Sequence, residues 1–449
     1  MWFAHIAASI FRSVRPLKFL TKLKKINMTN IAVIGLQWGD EGKGKVVDFL
    51  ADKFDAVVRF QGGNNAGHTI KVADKVFKLS LLPSGIIRQK FSVIGSGVVV
   101  DPVSLLNEIA KVKENGVNIT YDNLAIADNV CLVLSVHREL DQLLENKKGH
   151  NKIGTTQRGN GPAHEDKVGR RAIRMCDLND DNILKERIND LLLYHNLLRS
   201  ALGVAELTPQ KIYDEILSFR QHILPFVRPA FEIAQKLESF KAIMFEGAQG
   251  ALLDVNFGTY PFVTSSNISL GQAAIGSCLG FDRVDKTLGI LKAYTTRVGS
   301  GPFPTELDNE IGEFLRQEGA EFGTVTGRNR RCGWFDAVLV SHAIKLSAVK
   351  EIALMKIDVL DKLAKIKICV GYKINGKNYN YFPQGADLWS KIEPVYEEFE
   401  GWQSSTVGIT KYSDLPLKAQ KYIQKIEELC KVKAVLISTG ALREQTIIL

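Results

Sequence analysis

The chain has 449 residues, 45% of them hydrophobic, and a formal net charge of +9. That length buries a large core, as one big α/β domain or two to three smaller ones, and no run is both long and apolar enough to cross a bilayer. The positive charge is uneven: residues 1–27 hold Arg12, Arg15, Lys18, Lys22, Lys24 and Lys25 with no acid, which leaves only +3 for the remainder and argues against a nucleic-acid-binding protein.

In chain order, the basic extension 1–27 comes first. It is read as a stretch ahead of the start at Met28, either not native or a disordered arm; a transit-type peptide or a membrane-surface helix is the alternative. Next comes an apolar, β-branched run, Ile31-Ala32-Val33-Ile34. It enters Gly35-Leu36-Gln37-Trp38-Gly39-Asp40-Glu41-Gly42-Lys43-Gly44-Lys45, and Val46–Leu50 follows with helical spacing. Strand, glycine-dense loop and helix together wrap polyphosphate. Backbone N–H groups converge, the helix N-terminus adds positive potential, and lysines add charge. The loop fits G-x-x-x-x-G-K, but Val46 stands where such a motif needs the Ser or Thr that holds Mg²⁺. Asp40, a carboxylate inside the loop, is the substitute for a hard cation.

A second loop follows, Gln61-Gly62-Gly63-Asn64-Asn65-Ala66-Gly67-His68-Thr69. Strands are predicted at 31–36, 55–60, 78–82, 92–100, 242–245, 287–292, 352–356 and 433–437. Helical spacing is clear at Leu105, Leu106, Ile109, Ala110 and Val112. The alternation predicts an α/β fold with a large, mostly parallel central sheet and flanking helices. Residues 178–240 read as a helical subdomain, and 28–449 as a single domain. Polar, glycine-rich loops are predicted at 147–167, 295–304 and 323–333, where an open α/β sheet gathers its ligands. The six cysteines are scattered with no C-x-x-C, which fits reduced thiols in the cytoplasm and neither a disulfide scaffold nor a zinc site.

Gly39–Lys45 followed by Gly63–Thr69 resembles the adenylosuccinate synthetases. Further matches follow in order: Ile153–Thr156, Gly159 with Gly161-Pro162, Glu165–Lys167, Gly169–Arg171, Phe245–Gly250, Tyr260–Asn267, Gly299–Pro302, Thr326–Arg328 with Arg330-Arg331, Lys356–Asp358 and Ser438–Gly440. The resemblance implies a fold related in part to P-loop GTPases. It also implies a homodimer that joins IMP and L-aspartate into adenylosuccinate while GTP becomes GDP and phosphate. The 6-oxygen of IMP is first phosphorylated and then displaced by the aspartate amine, the first committed step from IMP to AMP.

Carried over residue by residue, the resemblance implies that Asp40 is the base that removes the N1 proton of IMP and also a Mg²⁺ ligand, with the Gly67 carbonyl as the second. His68 is implied as the general acid. GTP is expected at Gly39, Gly42, Lys43, Gly44, Lys45, Gly67, His68, Thr69 and Arg330, with guanine at Lys356, Ile357, Asp358, Ser438, Thr439 and Gly440. An acid at 358 suits guanine because it accepts from N1–H and N2–H₂, a donor pair that adenine lacks. IMP is expected at Asp40, Lys43, Asn65, His68, Thr156, Gln249, Thr264 and Arg328, and at Arg170, which in the family reaches the neighbouring subunit's IMP. Aspartate is expected at Thr324, Val325, Thr326 and Arg328, on a loop whose flanking glycines suggest closure on substrate.

The chain departs from the family's common residues at Gln157, Asn160, Val325 and Ala441-Leu442, where the family usually has Pro-Asp after Gly440. Two other classes compete. A non-catalytic guanine-nucleotide switch shares the loop and Lys-x-Asp, but Val46 and the lack of a following Asp-x-x-Gly oppose it. An RNA-binding protein is suggested only by the pI of about 9.0, most of which belongs to residues 1–27.

Overall fold

Ten short strands share one sheet: β1 (Ile31–Gly35), β2 (Ala56–Arg59), β3 (Phe91–Ile94), β4 (Leu124–Ala127), β5 (Val227–Arg228), β6 (Ile243–Glu246), β7 (Lys286–Lys292), β8 (Glu351–Met355), β9 (Lys433–Ser438) and β10 (Thr446–Ile448). Their spatial order is β10-β9-β8-β7-β1-β6-β2-β3-β4-β5, and every neighbouring pair is parallel except β9 with β10. The structure is a computed structural model and describes residues 29–449 except 66, 73–74, 150–151 and 324–327. The basic extension 1–27 lies outside the described residues.

Strands covered by helices on both faces are largely apolar, and the central strand β1 is buried along its whole length. On one face Ile31 and Val33 join Val46, Val47, Phe49 and Leu50 of helix α1 (Lys43–Ala51). Val46 therefore serves the core and offers nothing to a metal. On the other face Ala32 and Ile34 join a larger cluster, which also takes Leu184, Ile212 and Ile233 from the helices within 178–240. No helix among the described residues is long and apolar enough to cross a membrane.

Three local expectations change. The run predicted as a strand at 78–82 forms instead the end of Lys75–Leu79, which pairs antiparallel with His68–Val72 in a hairpin outside the main sheet. The run 92–100 is two strands, because the turn Gly95-Ser96-Gly97 interrupts it before Val99-Val100. The segment 147–167 contains a helix, Asn160–Val168, capped by Gly159 in the left-handed region. A separate small sheet pairs Lys365–Ile374 with Glu393–Glu400 at the far side of the fold.

Candidate active site

Both glycine-rich loops leave the carboxyl ends of parallel strands and meet face to face. Gly42 caps α1 at φ 95°, and a Cβ added to Gly44 would lie 3.3 Å from both the His68 Cβ and the Thr69 carbonyl. Only glycine lets the two loops approach this closely. Glu41 turns inward and is fully buried. Its Oε1 accepts from the N–H groups of Gln37 (3.0 Å) and Gly39 (2.9 Å), and its Oε2 lies 2.6 Å from the Lys43 Nζ. The first loop is thus braced by its own acid.

A cavity of about 630 Å³ opens where the loops meet. From the first loop it is lined by Gly39, Asp40, Gly42, Lys43, Gly44 and Lys45, and from the second by Asn65, Gly67, His68 and Thr69. Thr156, Gln249, Thr264, Arg330, Lys356, Asp358, Ser438 and Gly440 also line it. Buried polar atoms on these walls without a hydrogen-bond partner include His68 Nε2, Gln249 Oε1 and Asp358 Oδ1. Buried polar atoms are normally satisfied, so such orphans gathered on one cavity mark a ligand's place. Asp40, Gln249 and Lys356 also adopt φ of 58°, 51° and 60°. Left-handed backbone at a non-glycine residue costs about 1–2 kcal/mol, and such strain gathers at functional sites.

His68 is oriented from behind. Its Nδ1 lies 2.5 Å from Glu246 Oε1, and Glu246 also accepts from the Ser84 N–H and hydroxyl and faces Arg59 at 3.4 Å. Burial opposes ionisation of Glu246, but His68 and Arg59 outweigh it and hold the carboxyl below its ordinary range. Burial, aided by Arg59, lowers the His68 pKa. The imidazole Nδ1 faces Glu246, and its Nε2, without a protein partner, is left for the cavity. The same Glu246 would support an imidazolium once negative charge arrives.

Asp40 Oδ2 lies 2.8 Å from Arg330 Nε, and Arg330 Nη1 donates to Glu321 Oε2 at 2.7 Å. The latter carboxylate is fully buried and also takes Lys292 and Lys356, each at 2.8 Å, and the Tyr294 hydroxyl. Burial would raise the pKa of Glu321, but Lys292, Lys356 and Arg330 drive it far below the carboxylate range.

Lys45 lines the cavity with its ammonium group engaged by the protein. Its Nζ donates to Ser438 Oγ (2.7 Å) and to the carbonyls of Gly440 (2.8 Å) and Gln445 (2.9 Å). It ties α1 to the β9–β10 loop, where Ala441-Leu442 is closed by Gln445 Oε1 accepting from the Leu442 N–H at 2.9 Å. Burial lowers the Lys45 pKa to about 8. Between pH 8 and 10.5 the unfolded chain holds a proton that the fold releases, so this group's contribution to stability rises with pH across that window. Lys45→Met leaves three acceptors unpaired and is expected to cost about 1–3 kcal/mol. Denaturant unfolding at pH 7 and pH 9.5 should show the loss, and should show that the variant lacks this rise.

Other predicted residues lie off the cavity wall. Ile357 is fully buried, and Thr439 donates to the Ile409 carbonyl at 2.9 Å. Arg170 is exposed with φ 61° at the end of the helix Asn160–Val168, and Arg328 is exposed at the base of a loop closed by Gly323 N–H to Arg328 O at 2.8 Å. Thr324, Val325 and Thr326 lie outside the described residues. Of the departures, Asn160 is buried and donates to Asn64 Oδ1 at 2.9 Å, which locks its helix onto the second loop.

Among the described residues, the one His/Cys/Asp/Glu group spaced closely enough to hold a metal is His137, Asp166 and His195. His137 Nδ1 accepts the Leu134 N–H, so its Nε2 carries the proton and donates to Asp166, which also takes His195 Nε2 and Arg171 Nε. The atoms that face one another are joined by these hydrogen bonds, so this group is a buried clamp between helices, and His195 Nδ1 is left without a partner.

A profile of the adenylosuccinate synthetases matches residues 32–447. The chain belongs to the adenylosuccinate synthetase family. The fully ligated adenylosuccinate synthetase of Plasmodium falciparum is 35% identical, with a TM-score of 0.87 over 94% of this chain and 100% of that one. The succinoaminodeoxyadenylate synthetase of cyanophage S-2L, bound to dGMP and dATP as energy donor, is 19% identical with a TM-score of 0.59, over 94% of this chain and 96% of that one, and shares the fold. As an adenylosuccinate synthetase, the chain is a C–N ligase of AMP synthesis that joins IMP to aspartate at the expense of GTP. The sequence had left Glu41, Glu246 and Glu321 without roles. The first two sit inside recognisable motifs, whereas Glu321 carries no local signal.

Proposed function

We propose that the cavity holds GTP and IMP end to end, with Asp40 between them as the proton acceptor. The carrying observation is that Asp40, on a left-handed turn, shares one cavity with the unpartnered His68 Nε2 and Asp358 Oδ1. Asp40 takes the N1 proton of IMP, and O6 attacks the γ-phosphorus as its bond to the β-bridging oxygen breaks, giving 6-phosphoryl-IMP and GDP. His68 steadies the charge that develops on the transferred group. The aspartate amine then adds at C6, phosphate leaves, and adenylosuccinate remains. Asn65, Thr156, Gln249, Thr264 and Lys43 hold IMP; Arg328, with the backbone of Thr324, Val325 and Thr326, holds aspartate.

The oxygen donors of Asp40 and the Gly67 carbonyl suit Mg²⁺, a hard cation. When bound, Mg²⁺ neutralises charge on the polyphosphate. We read 28–449 as one unit with 178–240 as its helical subdomain, acting in the cytosol, which accords with six free cysteines.

We further propose a homodimer in which Arg170 serves the second copy's IMP. Arg170 is exposed, away from its own cavity, next to exposed Val168; Leu193 and Leu197 are exposed on the helix that Tyr194 links to Glu165 and Arg171. Mixing inactive Asp40→Asn with inactive Arg170→Ala is expected to recover about a quarter of wild-type activity, since half the dimers are hybrids with one intact site. No recovery on mixing would mean that Arg170 acts within its own subunit.

A further inference from the structure

We propose that Glu321 is a positioning residue that ties the guanine-reading turn at Lys356 to the proton-accepting Asp40, through Arg330. The inference rests on the reading that Asp40 accepts the N1 proton of IMP and that Lys356 lies against the guanine of GTP. Its basis is one carboxylate with divided oxygens: Oε1 takes Lys356 and Lys292 at 2.8 Å, and Oε2 takes Arg330 Nη1 at 2.7 Å. Arg330 continues the chain to Asp40 at 2.8 Å. The centre of the linkage is out of water: Glu321 and Lys292 are 0% exposed and Arg330 8%, while its ends, Asp40 at 27% and Lys356 at 30%, reach the cavity. In such surroundings fixed charges act strongly and cannot be replaced by solvent.

Two carboxylates and three cations make this group net positive beside the phosphate cradle. Neutralising Glu321 would leave Lys292, Lys356 and Arg330 crowded around an amide. They would separate. Lys356 would keep the Gly319 carbonyl but lose the charge that holds its stem against the purine, and Arg330 would lean harder on Asp40, withholding it from the N1 proton. One substitution at neither end should therefore disturb both ends. A residue needed only for folding would lower melting temperature or the active fraction, without a paired change in kcat and in the KM for one substrate.

The test is steady-state kinetics on the full-length enzyme with GTP, IMP and aspartate each varied, for wild type, Glu321→Gln, Arg330→Lys, the double variant and Asp40→Asn. Glu321→Gln is expected to lower kcat about tenfold or more and raise the KM for GTP about fivefold or more, with the KM for IMP within about twofold. Arg330→Lys should lower kcat alone, and should add little to Glu321→Gln because the tie is already cut. Glu321→Asp keeps the charge but is one methylene too short to hold both partners, so it should show the same paired change to a smaller degree. This variant carries the test if Glu321→Gln does not fold. Multiplicative effects of the two substitutions, or a changed melting temperature with kcat and the KM for GTP both unaltered, would overturn the proposal. An active Asp40→Asn enzyme would instead remove the site reading beneath it; an inactive one, with Glu321→Gln and Arg330→Lys effects that multiply, would remove only the tie.

Discussion

Replacing Asp40 with Asn is expected to lower kcat by about 10²–10⁴, the usual contribution of a positioned general base, while the fold stays intact. Asn is the informative replacement because of the backbone. At φ 58° a side chain with a Cβ is strained, and Asn tolerates this region better than other non-glycine residues. Alanine there would add about 1 kcal/mol of local strain and confuse lost chemistry with a displaced loop. The ion pair with Arg330 disappears, yet Arg330 keeps Glu321 at 2.7 Å and is not left as a lone buried charge. Melting temperature by circular dichroism should therefore move little. Turnover above about a tenth of wild type would exclude Asp40 as the base.

How far the sequence disclosed this site depends on where the information lies. Gly39–Lys45 and Gly63–Thr69 were legible because backbone shape demands glycine there, and shape written into residue type survives in a single sequence. The helix-burying role of Val46 was also implicit, since a β-branched apolar residue at that position had to face the sheet. Lys45 was harder to read. Lysine at a helix start fits a phosphate cradle or a tie to a distant loop equally well, and only the packing of β9–β10 against α1 decides. Glu321 was invisible: it lies between Ala320 and Phe322, with nothing local to distinguish it from a solvated acid. Its burial comes from three cations at positions 292, 330 and 356, so its meaning exists only in the folded chain. The short strands Leu124–Ala127 and Val227–Arg228 were missed for a similar reason, since two to four residues carry too little periodicity.

Replacing Asp358 with Asn is expected to raise the KM for GTP by about 10²-fold or more and to admit a different base. Burial raises the pKa of this carboxyl above its ordinary value, and Oδ1 lacks a partner in the protein. A buried acceptor without a donor is costly, so the pocket favours a ligand that presents one. Guanine presents two, N1–H and N2–H₂, and each charge-assisted bond is worth about 1.5–3 kcal/mol. Asn retains a single acceptor, loses the charge and turns an N–H toward the purine, where it opposes the guanine amine. Xanthine carries an oxygen at that position, which accepts from the new N–H while N1–H still meets the amide oxygen. The variant should therefore use XTP better than GTP, whereas wild type should make adenylosuccinate with GTP and little with ATP or XTP. Selectivity of this kind comes from groups left unpaired by the wrong ligand, so it should invert when the pairing is inverted. Unchanged preference for GTP in Asp358→Asn would mean that another group reads the guanine edge.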